Sequence, residues 1–92
     1  MDVKTKFNGS ISERMKQTII KDLQKMLSPF NFSEAELAMT VKTQEQKSLV
    51  EVHANLHTDQ GRFHSRQEGF HKNQVCSDAL DNIEVQLKKQ II

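Results

Sequence analysis

The chain has 92 residues, with 13 Lys/Arg against 12 Asp/Glu, four His, a single Cys, and neither Trp nor Tyr. A chain of this length makes one domain, residues 1–92, burying roughly 60 to 65% of its unfolded surface, which leaves no room for a deep catalytic cavity. A formal charge of +1 argues against strong indiscriminate nucleic-acid binding, and the lone Cys76 excludes both an intramolecular disulfide framework and a CxxC metal knuckle.

The charge is unevenly spread. Residues 1–30 hold six Lys/Arg against three Asp/Glu, residues 31–60 two against five, and residues 61–92 five against four. A local basic surface able to dock phosphates is therefore compatible with the near-neutral total. The charged start Met1-Asp2-Val3-Lys4 lacks the apolar core of a signal peptide, and no apolar run approaches the ~20 residues of a membrane span. The expected location is the cytoplasm, with no membrane partner.

Val3, Thr5 and Phe7 alternate with Asp2, Lys4 and Lys6, which predicts a short strand ending at Asn8-Gly9. Ser10 and Glu13 have the spacing of a capping box, and Met15, Ile19, Leu23 and Met26 then recur at helical spacing. The pattern is expected to stop near Ser28-Pro29, because proline disfavours helical geometry in the residue before it. Leu37, Met39, Val41 and Thr43 alternate with Glu36, Ala38, Thr40 and Lys42 in a second strand, and the polar stretch Gln44 to Ser48 turns the chain.

In the third strand Val50, Val52, Ala54 and Leu56 fall on one face and Glu51, His53, Asn55 and His57 on the other, a period of two that a half-buried strand explains. The turn Thr58-Asp59-Gln60-Gly61 leads into a fourth strand with Arg62, His64 and Arg66 on the polar side. After Gly69, the stripe Cys76, Ala79, Leu80, Ile83 and Leu87 predicts a closing helix. The fold class is α+β, in the order β-α-β-β-β-α. Both amphipathic helices pack on one face of a four-stranded sheet, and a right-handed crossover makes the first two strands parallel. The other face stays open, carrying Lys4, Lys6, Lys42, His53, His57, Arg62, His64 and Arg66.

Little here suggests catalysis. Ser65 or Ser77 with a histidine and a carboxylate lacks a nucleophile elbow, and the three glycines form no phosphate-binding loop. His53, His57 and His64 share a face, with His64 diagonal to the other two, yet no fourth ligand or supporting shell accompanies them. They read as polar surface that gains charge below neutral pH, and Cys76 as an inert core thiol. Phe7 and Phe63 fall on the buried alternation, while Phe30, Phe32 and Phe70 sit at element ends and are expected to close the core. No catalytic residue, metal, cofactor or small-molecule substrate is expected. Arg14, Lys21 and Lys25 form a stripe at i, i+7 and i+11, with Lys16 on the opposite flank, and such a repeat suits either a phosphate surface or a solvated helix face.

The ordered set Ile11-Ser12-Glu13, Lys16, Lys25 and Phe30, then Leu56-His57, Gly61, Phe63-His64, Glu68-Gly69, Leu80-Asp81 and Gln86-Leu87-x-Lys89 resembles the bacterial hibernation-promoting and ribosome-associated inhibitor family, known also as the sigma-54 modulation proteins, from about Val3 to Lys89. The resemblance implies a shape related to double-stranded-RNA-binding domains, lying in the small-subunit channel that messenger and transfer RNA would occupy. It implies ribosomal-RNA contacts at Lys16, Lys21, Lys25, Lys88 and Lys89, to which Arg14, Arg62 and Arg66 are added from the residue pattern. Asn82 and Val85 stand where the family commonly carries Lys or Arg, and Asn73 replaces a usual aromatic.

The reading is a non-enzymatic, short-form ribosome hibernation or stress factor, whose partners are the small ribosomal subunit and its rRNA and which blocks or silences translation. The alternative is a protein-interaction module of the same fold that has lost ribosome binding, motivated by Asn82, Val85 and the acidic middle third. A small hydrolase or metal protein using the histidine face is a third, weaker option.

Overall fold

The computed structural model describes residues 2–91, with the side chain of residue 91 left aside. Strand β1 (Asp2–Gly9) leads through a short loop into helix α1 (Glu13–Leu27), followed by β2 (Glu34–Gln44), a 3-10 turn at Glu45–Lys47, β3 (Leu49–Thr58), β4 (Gly61–Gly69) and α2 (Lys72–Ile91). The sheet order is β1-β2-β3-β4, with β1 parallel to β2 and the remaining neighbours antiparallel. The predicted element order, the parallel first pair and the meander are all present.

Alternation places Leu37, Met39, Val41, Val52, Ala54, Leu56 and Phe63 on one face of the sheet, where they join Ile19, Leu23 and Leu27 of α1 and Cys76, Ala79, Ile83 and Leu87 of α2 in a single core. Both helices therefore cover the same face. Phe30 and Phe32 close the core after α1, with ring centroids 5.6 Å apart in a stacked pair.

Helix α1 is capped by Ser12, whose side chain accepts the Met15 N–H at 3.1 Å. The predicted cap, Ser10, instead accepts a hydrogen bond from Lys72 Nζ at 3.1 Å, which ties the loop before α1 to the start of α2. Ser12 wins because it stands directly before the first helical residue, where its oxygen reaches the third N–H of the helix. At the other end Ser28 keeps helical dihedrals despite preceding Pro29. The stop comes instead from the missing proline N–H, which would have reached the Lys25 carbonyl. The Ser28 hydroxyl donates to that carbonyl at 3.1 Å in its place.

Gly9 has φ +96°, and a Cβ there would lie 1.9 Å from the Val41 carbonyl oxygen. Only glycine fits this position, where β1 ends beside β2. The β3–β4 turn is clipped to the chain leaving α1: Asp59 Oδ1 accepts the Ser33 N–H at 3.1 Å and Gln60 Nε2 donates to the Asn31 carbonyl at 3.0 Å. On the β4 edge, Gln86 Nε2 of α2 donates to the His64 carbonyl at 2.6 Å and to Asn82 Oδ1 at 2.8 Å. Asn82 thus braces the side chain that covers a sheet edge, a structural use for a position expected to be basic. Phe70 departs from expectation as well. It is 71% exposed and contributes nothing to the core.

Candidate nucleic-acid interface

The eight cationic positions singled out in the sequence do not form one patch. Arg14, Lys16, Lys21 and Lys25 lie on α1, and Lys88 and Lys89 in the last turn of α2, on the helical side. Arg62 and Arg66 project from β4 on the open face of the sheet, because they alternate with the buried Phe63 and Ser65. The sheet separates the two groups.

Helices α1 and α2 run parallel, side by side. Near their N-terminal ends Arg14, Met15 and Thr18 face Asn73 and Ser77 across a shallow cleft of about 250 Å³. Further along, Asp22, Lys25 and Met26 face Ser77, Leu80, Asp81 and Glu84 across a cleft of about 400 Å³. Arg14, Lys21 and Lys25 are exposed and make no ion pair among the described residues. They present an uncommitted cationic row along the crest and inner flank of α1. The facing flank of α2 is acidic at Asp81 and Glu84, so this cleft is acidic on its α2 side and carries both signs, Asp22 and Lys25, on its α1 side.

Lys16 behaves differently. It is half-buried on the β1 side of α1, with Nζ 3.3 Å from Glu13 Oε1 and 5.9 Å from the centre of the Phe7 ring. Its ammonium lies over a partly buried aromatic, which leaves less of its charge for a partner.

The open face is charged in both senses. The strand register places Asp2, Glu34, Glu36, Glu51 and Glu68 among Lys4, Lys6, Lys42, Arg62 and Arg66. Lys6 Nζ lies 3.3 Å from Glu36 Oε1. Arg66 is held twice, with Nε 3.0 Å from Glu51 Oε1 and Nη2 3.2 Å from Glu68 Oε1. His53 Nε2 donates to the same Glu51 oxygen at 2.5 Å. This hydrogen bond, joined by the attraction of Arg66 and opposed by partial desolvation, holds the Glu51 carboxyl below its ordinary value.

His64 stands diagonal to His53 as expected, with ring centroids 6.1 Å apart, but its Nδ1 donates to Asn55 Oδ1 at 2.6 Å. The two rings are engaged by different partners and do not converge. Among the described residues no three His, Cys, Asp or Glu side chains are arranged to hold a metal. Cys76 is fully buried, and desolvation raises its thiol above the ordinary value against the opposing charge of Lys72. Such a thiol is a poor nucleophile. Among the described residues no helix is long and apolar enough to cross a membrane.

Alternation alone puts Glu36 and Glu51 on the open face, but their pairing with Lys6 and Arg66, and that of Glu68 with Arg66, shows only in the folded sheet. Neither a protein-family model nor a curated protein matches the sequence. Solved structures do. The Thermus thermophilus Protein Y N-terminal domain superposes with a TM-score of 0.71 at 14% identity, covering 97% of this chain and 98% of that one. A ribosomal subunit interface protein from Coxiella burnetii superposes with a TM-score of 0.63 at 16% identity, covering 97% of this chain and 96% of its own. With coverage nearly end to end in both directions, this chain has the fold of the Protein Y N-terminal domain and of the ribosomal subunit interface protein.

Proposed function

We propose that the protein belongs to the hibernation-promoting and ribosome-associated inhibitor family, binds the small ribosomal subunit in the channel for messenger and transfer RNA, and silences translation by occupying it. It acts in the cytoplasm, without catalysis or cofactor. The observation that carries this reading is the end-to-end likeness to a ribosomal subunit interface protein. The uncommitted row Arg14, Lys21 and Lys25 supports it, since phosphate contacts release counterions and want exposed cations at a helical repeat.

In this reading α1 makes the primary contact with rRNA phosphates, extended by Lys88 and Lys89. Arg62 and Arg66 face the opposite side of the channel and contribute less, because Arg66 must give up two carboxylates to bind a phosphate. Lys16 helps to fix α1 against β1. The second reading, a protein-interaction module that has lost ribosome binding, draws on the acidic flank Asp81 and Glu84 beside Asp22. Sedimentation of a cell extract through a gradient separates the two. The protein is expected with small subunits or whole ribosomes, and recovery only in the soluble fraction would favour the interaction module.

A further inference from the structure

Phe70 is a large apolar side chain that the fold does not need. It lies in the two-residue connection between β4 and α2 with 71% of its surface exposed, the largest such exposure among the described hydrophobic residues. Its backbone is pinned on both sides. Gly69 pairs with Val50 across the sheet, and its Cα approaches α2 so closely that a Cβ would lie 2.8 Å from Val75 Cγ2. On the far side the His71 carbonyl accepts the Val75 N–H at 3.0 Å, and Lys72 Nζ donates to Ser10. The ring is therefore presented on a rigid frame and cannot fold back into the core without breaking the β4–α2 junction.

The residues that follow the ring are polar or basic. His71 is exposed beside it, Lys72 follows, and Arg14 faces Asn73 across the neighbouring cleft. The first turn of α2 carries no acidic residue. Glu68, two residues before the ring, is committed to Arg66, and Glu13, next to Arg14, to Lys16. An exposed flat ring two residues before Lys72, at the end of α2 that faces Arg14, matches an unpaired nucleotide, whose base offers a π-face and whose phosphate offers the charge, better than it matches an apolar protein pocket.

We infer that Phe70 stacks on an unpaired base of single-stranded RNA, with Lys72, His71 and Arg14 placed for the adjoining phosphates. This rests on the ribosome-binding reading above and adds a contact from outside the helical cation row. The chain has no Trp, so F70W introduces a unique fluorophore at the site. Titration of F70W with a short oligoadenylate at low salt is expected to quench the indole emission, and the quenching is expected to fade as salt rises. In parallel, F70A should co-sediment with ribosomes about 5- to 140-fold more weakly than wild type, the range that loss of one base–aromatic stack represents.

An unquenched F70W overturns the inference. If F70A nonetheless loses ribosome binding, the ring docks on a protein instead. An F70A variant that binds like wild type also overturns the stacking role on the ribosome, and leaves the ribosome-binding reading standing. If wild type itself does not co-sediment, that reading fails, and the oligoadenylate titration decides the role of Phe70 alone.

Discussion

Arg66 and Glu51 form a close ion pair across the β3–β4 ladder, 3.0 Å from guanidinium to carboxylate, on the face that the histidines share. The pair turns an arginine expected to meet RNA into part of a network with His53 and Glu68, in which its charge is already engaged by two carboxylates. Such a pair, screened by solvent, contributes little stability.

Replacing Arg66 by Ala should therefore leave the urea unfolding midpoint nearly unchanged. It should also weaken ribosome co-sedimentation less than Lys21→Ala does. A larger loss from Arg66→Ala would move the primary contact to the sheet face.

Gly9→Ala meets two penalties, a positive φ and a Cβ 1.9 Å from the Val41 carbonyl oxygen. Unfolding should be easier by about 2 kcal/mol or more, a fall in Tm of roughly 10 °C for a domain of this size. An unchanged Tm would show that the β1–β2 end yields without cost.

Asp59 ties the β3–β4 turn to the segment entering β2. Desolvation pulls its carboxyl upwards, but hydrogen bonds from the Ser33 side chain and from the Asp59, Glu34 and Ser33 backbone N–H groups outweigh it and hold the carboxyl below its ordinary value. A lowered folded-state value stabilises the fold above the unfolded-state value of about 3.9 and is lost as pH falls through the folded one. Thermal unfolding from pH 6 to pH 3 should thus show a steeper loss of Tm in wild type than in Asp59→Asn. Parallel curves would mean that the clip does not depend on the charge of Asp59.

Much of this fold is legible in the sequence because alternation and helical spacing are strong local signals. Val50 to Leu56 and Met15 to Met26 read unambiguously, and both lie where predicted. The cap of α1 was displaced by two residues because Ser10 and Ser12 are both competent, and only the tertiary contact of Ser10 with Lys72 separates them. Phe70 was misread because an aromatic at an element end usually turns inward, whereas the tight Gly69–Val75 approach holds this one outside. The candidate site was legible residue by residue but not as a surface. Which cations share a face with which carboxylates depends on the strand register and on the parallel alignment of α1 and α2, and neither is a local property.

The central claim is that the α1 cations carry ribosome binding through phosphates, and a salt titration of ribosome affinity tests it most directly. For wild type, log K should fall steeply and linearly with log salt, and the triple variant Arg14→Ala, Lys21→Ala, Lys25→Ala should lose affinity at low salt with its slope reduced by about one for each contact removed. A wild-type affinity indifferent to salt, or a folded triple variant with the wild-type slope, would contradict the account.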